Sequence, residues 1–179
     1  IKQLKLSDLI TCHNIGVSDR KQEAIMVYDN EETGSSFLTN DLNVKGEKVK
    51  LNTIDNMAIK KVSFMKIDVE SYEKKVLQGA IKTIKRDLPF LFIETWKTEE
   101  DKNGDEFCNI LGELDYVFFL PSWLQNDNTF HVGVGPSFEM EYFALVPFKK
   151  SERIFFPGNP INIFACHKNS VKKLGYKIY

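Results

Sequence analysis

The sequence predicts an α/β fold in which a mostly parallel, twisted sheet carries helices on both faces. From residue 62 to residue 120, segments with the period of a strand alternate with segments with the period of a helix, and their connections are short. Residues 62–69 are mostly apolar on both faces, as a central strand of a parallel sheet is. Such alternation requires crossover connections, which are nearly always right-handed and give an open sheet covered by helices.

Length and composition favour a single domain over residues 1–179. The chain has 42% hydrophobic and 27% charged residues and a net charge of −1, a balance that does not indicate nucleic acid as a partner. No apolar run is long enough to cross a bilayer, and the first residues lack the apolar centre of a signal peptide. The widely spaced cysteines suggest neither a zinc site nor a disulfide framework, so we expect a cytoplasmic protein.

The first part of the chain is predicted to form three strands. Residues 9–17 are mostly apolar and end at Ser18 and Asp19, and residues 23–28 form a second short apolar run. Apolar and polar residues alternate within 47–57, which is typical of a strand with one solvent-exposed face. A polar loop with a glycine precedes this third strand.

The central part is predicted to alternate strand, helix, strand, helix and strand. The five segments are a strand at 62–69, a helix with apolar positions from Val76 to Ile84, a strand at 89–95, a helix with apolar positions from Phe107 to Leu114 and a strand at 116–120. Pro89 prevents the first helix from continuing. After residue 120 the alternation of strands and helices becomes irregular. Residues 121–140 are predicted to be an insertion or a lid, and strand-like runs follow at 141–148 and 161–168.

Carboxylates close two of the predicted strands. Asp68 ends the strand at 62–69, and Glu94 ends the strand at 89–95. Ligands of open parallel sheets bind outside the carboxyl ends of the strands, so neighbouring strands would direct both carboxylates into one crevice. Carboxylates there can also serve only as helix caps. Asp68, however, lies within the predicted buried run, where an ionised group needs a partner or a ligand.

Residues 64–80, "FMKIDVESYEKKVLQGA", followed by "PFLFIET" at 89–95, resemble the signature of the FkbM family of S-adenosylmethionine-dependent methyltransferases. That signature runs approximately K-I-D-V-E-G-x-E-x-x-V-L-x-G-A and leads to a strand that ends in Glu. Upstream, "NIGVSD", "TGSSF" and "VKLNTIDNM" resemble segments of the same family in the same order. The resemblance covers about residues 9–95.

The resemblance implies a class I methyltransferase fold with one antiparallel strand near the C-terminus, for which 161–168 is the candidate. It implies S-adenosylmethionine as the cofactor. The methyl acceptor would be a hydroxyl of a sugar, a polysaccharide or glycolipid unit, or a natural product. The family's glycine-rich loop and the acid that closes its second strand have no counterpart in this sequence, so the first two strands of the fold are expected to be absent from the chain.

The resemblance also implies roles for particular residues. The cofactor-binding residues would be Val17, Ser18 and Asp19 beside the adenine, together with Asp68 and Glu70. The catalytic residues would be Asp68 and Glu94, either of which is a candidate to accept the proton of the acceptor hydroxyl. Neighbouring carboxylates are also suited to a divalent cation, which makes magnesium a further candidate.

Two other functions are open at this point. Asp68 and Glu70 resemble the acidic pair that holds manganese in nucleotide-sugar glycosyltransferases. The absent glycine-rich loop, and Ser71 where the family has glycine, favour a non-catalytic methyltransferase-like module that binds a partner. His131 is a candidate base within the lid or a surface residue, and Trp123 is a candidate for the acceptor site or an anchor of the insertion.

Overall fold

The computed structural model describes residues 8–28, 36–41, 43–69, 72–95, 106–124, 129–132, 142–149, 151 and 160–175. The strands are β1 (Gly16–Val17), β2 (Gln22–Tyr28), β3 (Ser36–Thr39), β4 (Glu47–Asn52), β5 (Phe64–Ile67), β6 (Phe90–Thr95), β7 (Tyr116–Leu124), β8 (Phe130–Val132), β9 (Tyr142–Phe148) and β10 (Ile161–His167). The α-helices are α1 (Glu73–Gln78), α2 (Ile81–Asp87) and α3 (Phe107–Gly112), and 3₁₀ helices cover Asp55–Met57 and Lys168–Lys173.

The first sheet has the strand order β1-β4-β2-β3, in which only β1 and β4 are parallel. The predicted strand at 9–17 is wrong for most of its length, because only Gly16–Val17 pairs with β4. Leu9 and Ile10 are 81% and 42% exposed, so these apolar residues do not reach a core. The predicted strand at 23–28 is confirmed as β2. The strand predicted at 47–57 is confirmed only over Glu47–Asn52, as β4, because a 3₁₀ helix covers Asp55–Met57.

The second sheet has the order β5-β6-β10-β7-β8, and β9 pairs with the other edge of β7. The prediction of a mostly parallel sheet is wrong for the described strands, since β5 and β6 are parallel and all other pairs in this sheet are antiparallel. The predicted antiparallel strand near the C-terminus is observed as β10. Strand β10 lies between β6 and β7 and runs antiparallel to both.

All three described α-helices pack on one face of the second sheet, which contradicts the prediction of helices on both faces for the described part of the chain. Val76 and Leu77 of α1, Ile84 of α2 and Leu111 of α3 share one core with alternate residues of the strands. On β6 these alternate residues include Leu91 and Ile93, which are fully buried. The period of two along a strand therefore assigns Phe90, Phe92 and Glu94 to the opposite face.

The opposite face is largely aromatic. An apolar groove of about 290 Å³ lies there between the two edges of the sheet. Phe90 and Phe164 stack in it with ring centroids 5.7 Å apart, while Phe64 is 54% and Phe143 41% exposed. Strand β5 is therefore not the fully buried central strand that its apolar sequence predicts, and within the described chain it pairs with β6 alone.

The helix predicted after β5 is divided into α1 and α2. Gly79 lies at the junction, and the N–H of Asp55 donates to the Gly79 carbonyl at 3.0 Å, which removes this acceptor from a continuous helix. A Cβ on residue 79 would lie 2.0 Å from the carbonyl oxygen of Ser18, so only glycine fits there. At the other end, Leu88 adopts a left-handed conformation, and Pro89 ends α2 as predicted.

The segment after residue 120 belongs in part to the sheet. Strand β7 continues to Leu124, four residues beyond its predicted end, and β8 pairs with it antiparallel. The rest of the proposed lid, 125–128 and 133–140, lies outside the described residues. The division of the chain into one domain with a lid at 121–140 stays a prediction. Within the described chain, no helix is long and apolar enough to cross a membrane.

Candidate functional site

The ends of β5 and β6 bring Asp68 and Glu94 together. The two strands are parallel neighbours, with Ile67 beside Ile93, so the next residues along both strands are also adjacent. The side chains of Asp68 and Glu94 are 50% and 25% exposed, which leaves both accessible to a ligand. The expectation that Asp68 is buried is therefore wrong, but the expectation that it needs a partner agrees with the contacts around it.

Lys66 provides that partner, and the sequence-based reasoning did not consider it. Its Nζ atom lies 3.3 Å from Asp68 Oδ2 and 3.9 Å from Glu94 Oε2. The same ammonium donates a hydrogen bond to Asn162 Oδ1 at 3.2 Å. The period of two along β5 was an available signal for Lys66, because residues 66 and 68 lie on one face of an extended chain.

The protonation of the two carboxyl groups is linked. The pKa of Asp68 lies below its ordinary value because its carboxylate accepts a hydrogen bond from Glu94 and lies beside the Lys66 ammonium. A hydrogen bond between two carboxyl groups requires one proton, so the pair ionises in two steps that belong to both residues.

A cavity of about 450 Å³ opens beside Asp68, between the first sheet and the N-terminal end of α1. This volume lies within the range of roughly 300–1,000 Å³ that is common for small-molecule sites. The apolar lining residues are Ile15, Val17, Met26, Phe37, Leu38 and Val69. Asp68, Tyr72 and Ser36 add a carboxylate, a phenol and a hydroxyl to the lining. The cavity is thus mainly apolar, with a few polar groups in its walls.

The three residues expected beside the adenine have different positions. Val17 lines the cavity, whereas Ser18 is fully buried behind it. The Ser18 hydroxyl donates to Asp19 Oδ1 at 2.9 Å and lies 3.4 Å from the Tyr72 hydroxyl. Asp19 is partly exposed and lies 3.8 Å from the Arg20 guanidinium. Ser18 and Asp19 therefore support the cavity wall rather than line it.

Tyr72 is a second residue that the sequence-based reasoning missed. Its hydroxyl accepts a hydrogen bond from Lys75 Nζ at 3.1 Å, and the same ammonium lies 4.2 Å from the centre of its ring. Tyr72 precedes α1 and Lys75 follows on the next turn, so the pair forms locally. Its position in the cavity depends on the contact with Ser18, which is remote in sequence.

The profile of the Methyltransferase FkbM domain matches residues 5–119, more than half of the chain. The chain belongs to the FkbM methyltransferase domain family. The resemblance seen in the motif at 64–80 is thereby confirmed, and methyl transfer is the general activity that the family supports. Comparison with curated proteins and with solved structures finds no match.

In this FkbM domain the ammonium group of Lys66 lies at the carboxylate pair for which the sequence suggests a magnesium ion. Among the residues that the structure describes, no group of three or more His, Cys, Asp and Glu side chains could hold a metal ion. Lys66 instead places positive charge against Asp68 and Glu94. Magnesium therefore has no support from the described residues. Glu70, the second acid of the glycosyltransferase-like pair, lies outside them.

The remaining candidates lie in the extended part of the second sheet. His131 belongs to β8, opposite Trp123 of β7, so it lies on a strand and not in an irregular loop. Trp123 contacts Phe143 of β9 edge to face, with ring centroids 5.4 Å apart. This contact agrees with the interpretation of Trp123 as an anchor.

Proposed function

We propose that this FkbM domain is an S-adenosylmethionine-dependent O-methyltransferase. The acceptor is a hydroxyl of a sugar, of a polysaccharide or glycolipid unit, or of a natural product. One observation carries the proposal: Asp68 lines the cavity and at the same time contacts the Glu94 carboxyl group and the Lys66 ammonium. A ligand in the cavity would therefore meet a carboxylate that is already held in position.

The cavity residues suit part of S-adenosylmethionine. Val17 and Phe37 offer apolar surface for an adenine ring, and the Asp68 carboxylate suits the cationic part of the cofactor. When bound, the cofactor supplies a methyl group on a sulfonium, whose sulfur keeps the electron pair of the broken bond and leaves uncharged. The residues present do not include a glycine-rich loop for the methionine end.

The chain's own contribution to the reaction is positioning and proton acceptance. The oxygen of an alcohol must lose its proton as it forms a bond to carbon, and a carboxylate within hydrogen-bond reach accepts that proton. Asp68 takes this role because it lines the cavity, whereas Glu94, on β6, is not one of the lining residues and contacts Asp68 through a hydrogen bond. The cavity walls align the two reactants.

The class I arrangement of the fold is part of the proposal. Strand β10, antiparallel between β6 and β7, supports it. The free thiols of Cys12, Cys108 and Cys166 agree with a reducing compartment, and we propose a cytoplasmic location for the domain.

Binding and methyl transfer test the function. Isothermal calorimetry with S-adenosylmethionine is expected to show saturable binding to the full chain, and labelled methyl groups are expected to appear on methyl glycosides offered as acceptors. Asp68→Asn keeps the shape but removes the proton acceptor, so methyl transfer is expected to fall by roughly 10²–10⁴-fold. The matched control is Asp8→Asn, because Asp8 is exposed and remote in sequence from the motif.

Three results would contradict the proposal. An Asp68→Asn variant with unchanged transfer would remove Asp68 from the mechanism. Binding of UDP-glucose with Mn²⁺ in place of S-adenosylmethionine would favour the nucleotide-sugar alternative. Absence of binding for both ligands by a folded chain would favour the non-catalytic module.

A further inference from the structure

The Lys66 ammonium is held from three adjacent strands. It extends from β5, lies 3.9 Å from Glu94 Oε2 on β6 and donates to Asn162 Oδ1 on β10. It also lies 5.5 Å from the centre of the Phe92 ring, a cation–π distance. A lysine side chain loses considerable rotamer freedom when it is fixed in this way. With the contact to Asp68 Oδ2 at 3.3 Å, the ammonium has four contacts, which indicate a fixed position despite partial exposure.

Asn162 is uncharged, but its side-chain oxygen lies where it can accept a hydrogen bond from the Lys66 ammonium. In the register between β10 and β6, Asn162 is directly opposite Glu94. The amide oxygen of Asn162 and the two carboxyl groups thus lie around the ammonium on the face of the sheet that the three α-helices do not cover. This face also carries the Phe92 ring, over which the Lys66 ammonium lies.

We propose that Lys66 is the positioning residue of this site, which holds Asp68 and Glu94 side by side and directs the Asp68 carboxylate toward the acceptor hydroxyl. The inference rests on the proposed function, because it assumes that Asp68 accepts a proton. It assigns the ammonium the task that a divalent cation performs between two carboxylates in other sites.

The physical reason is the repulsion between neighbouring carboxylates. Two carboxyl groups in contact cannot both ionise easily unless a positive charge lies beside them. Lys66 supplies that charge at 3.3 Å from Asp68. The hydrogen bond from Glu94 is the largest cause of the lowered pKa of Asp68, and the Lys66 ammonium lowers this pKa further. Of the described residues that line the cavity with Asp68, Ser36 and Tyr72 carry polar side chains, and the Tyr72 hydroxyl accepts a hydrogen bond from Lys75.

Carbon-13 NMR of the carboxyl groups tests the inference without any substrate. In the full chain with labelled Asp and Glu, Lys66→Met is expected to shift the titration of Asp68 to higher pH. Lys66→Arg keeps a positive charge within reach and is expected to retain the wild-type midpoint. The control Lys82→Met makes the same change of net charge on an exposed position of α2, and no shift of Asp68 is expected.

Asn162→Ala provides an independent variant if Lys66→Met fails to fold. It removes one anchor of the ammonium but keeps Lys66, Asp68 and Glu94 unchanged, and a smaller shift of Asp68 in the same direction is expected. An unchanged Asp68 midpoint in a folded Lys66→Met chain would overturn the inference. An equal shift in the Met and Arg variants would overturn it too, because charge would then not be the cause.

The pH profile of methyl transfer to methyl glycosides separates positioning from a merely structural role. The acidic limb of kcat is expected to move to higher pH in Lys66→Met and to return in Lys66→Arg. A uniform loss of activity at all pH values, with no movement of the limb, would contradict the inference. If the wild-type chain does not bind S-adenosylmethionine in calorimetry, the proposed function fails, while the NMR titration still decides whether Lys66 controls the carboxyl pair.

Discussion

Asp87 shows at the residue scale how one carboxylate fixes a local structure. It ends α2 and accepts the N–H of Val62 at 2.9 Å, which ties the segment before β5 to the helix. The Arg86 guanidinium also donates to it, from Nε to Oδ1 at 2.8 Å. The hydrogen bond from Arg86 and that from Val62 lower the pKa of Asp87 to about 2. Neither partner follows from the strand and helix pattern alone.

Asp87→Asn is expected to reduce stability in a pH-dependent way. A pKa that is lower in the folded than in the unfolded chain means a stabilising contribution that is complete above the ordinary value of 3.8 and is lost as the pH falls to about 2. The difference in Tm between wild type and Asp87→Asn should therefore shrink over this interval, as measured by circular dichroism. A difference that stays constant with pH would contradict this account, and Asp8→Asn serves as the exposed control.

The break between α1 and α2 shows at the element scale why a helical period does not guarantee one helix. The apolar positions continue in helical order through residues 76–84, yet the helix ends at Gln78 and restarts at Ile81. The cause lies in another part of the chain, because the N–H of Asp55 donates to the Gly79 carbonyl and the carbonyl oxygen of Ser18 lies close to Gly79. The helical period correctly predicts which face of the two helices is buried, but it gives no information about contacts with remote parts of the chain.

Gly79→Ala is expected to destabilise the domain by about 1–3 kcal/mol, the usual cost of forcing an atom into a packed site. A new Cβ would lie 2.0 Å from the Ser18 carbonyl oxygen and 3.3 Å from Thr53 Cβ. Gly112→Ala is the matched control: nothing lies within 4 Å of a Cβ there, and alanine favours the helix α3 by up to about 1 kcal/mol. Urea denaturation measures both, and equal effects of the two substitutions would contradict the packing argument.

At the scale of the whole molecule, the two sheets are joined through α2. Asp55 follows the first sheet in a 3₁₀ helix, and its carboxylate accepts the N–H groups of Lys82 and Thr83 at 3.0 and 2.8 Å. These are early N–H groups of α2, which packs on the second sheet. The residue directly before α2 is Ala80, which cannot cap, so a side chain from a distant segment performs this function.

Asp55→Ala is expected to cost about 0.5–2 kcal/mol, the range for loss of an N-cap. Asp55→Asn keeps one acceptor oxygen and is expected to cost less. Urea denaturation should show both effects, whereas Glu113→Ala, on an exposed position after α3, should show little change. A larger loss for the Asn than for the Ala variant would contradict capping as the cause.

The candidate site was predictable only in part. The family signature at 64–80 and the carboxylates at the ends of two strands are visible in the sequence, because motif and position along a strand are local properties. Lys66 was also visible, two residues before Asp68, but its role depends on Asn162. These two residues are 96 positions apart and meet only because β10 enters the sheet beside β6.

The local pattern of this chain thus established its FkbM family, most of its strands and helices and the two carboxylates, since periodicity and motif need only neighbouring residues. Strand pairing, the choice of the covered face and the surroundings of Asp68 depended on contacts between remote segments. The apolar runs of β5 and β9 are compatible with either a parallel or an antiparallel partner. Only the folded chain, in which each strand buries one face and satisfies its backbone hydrogen bonds, selects among these pairings.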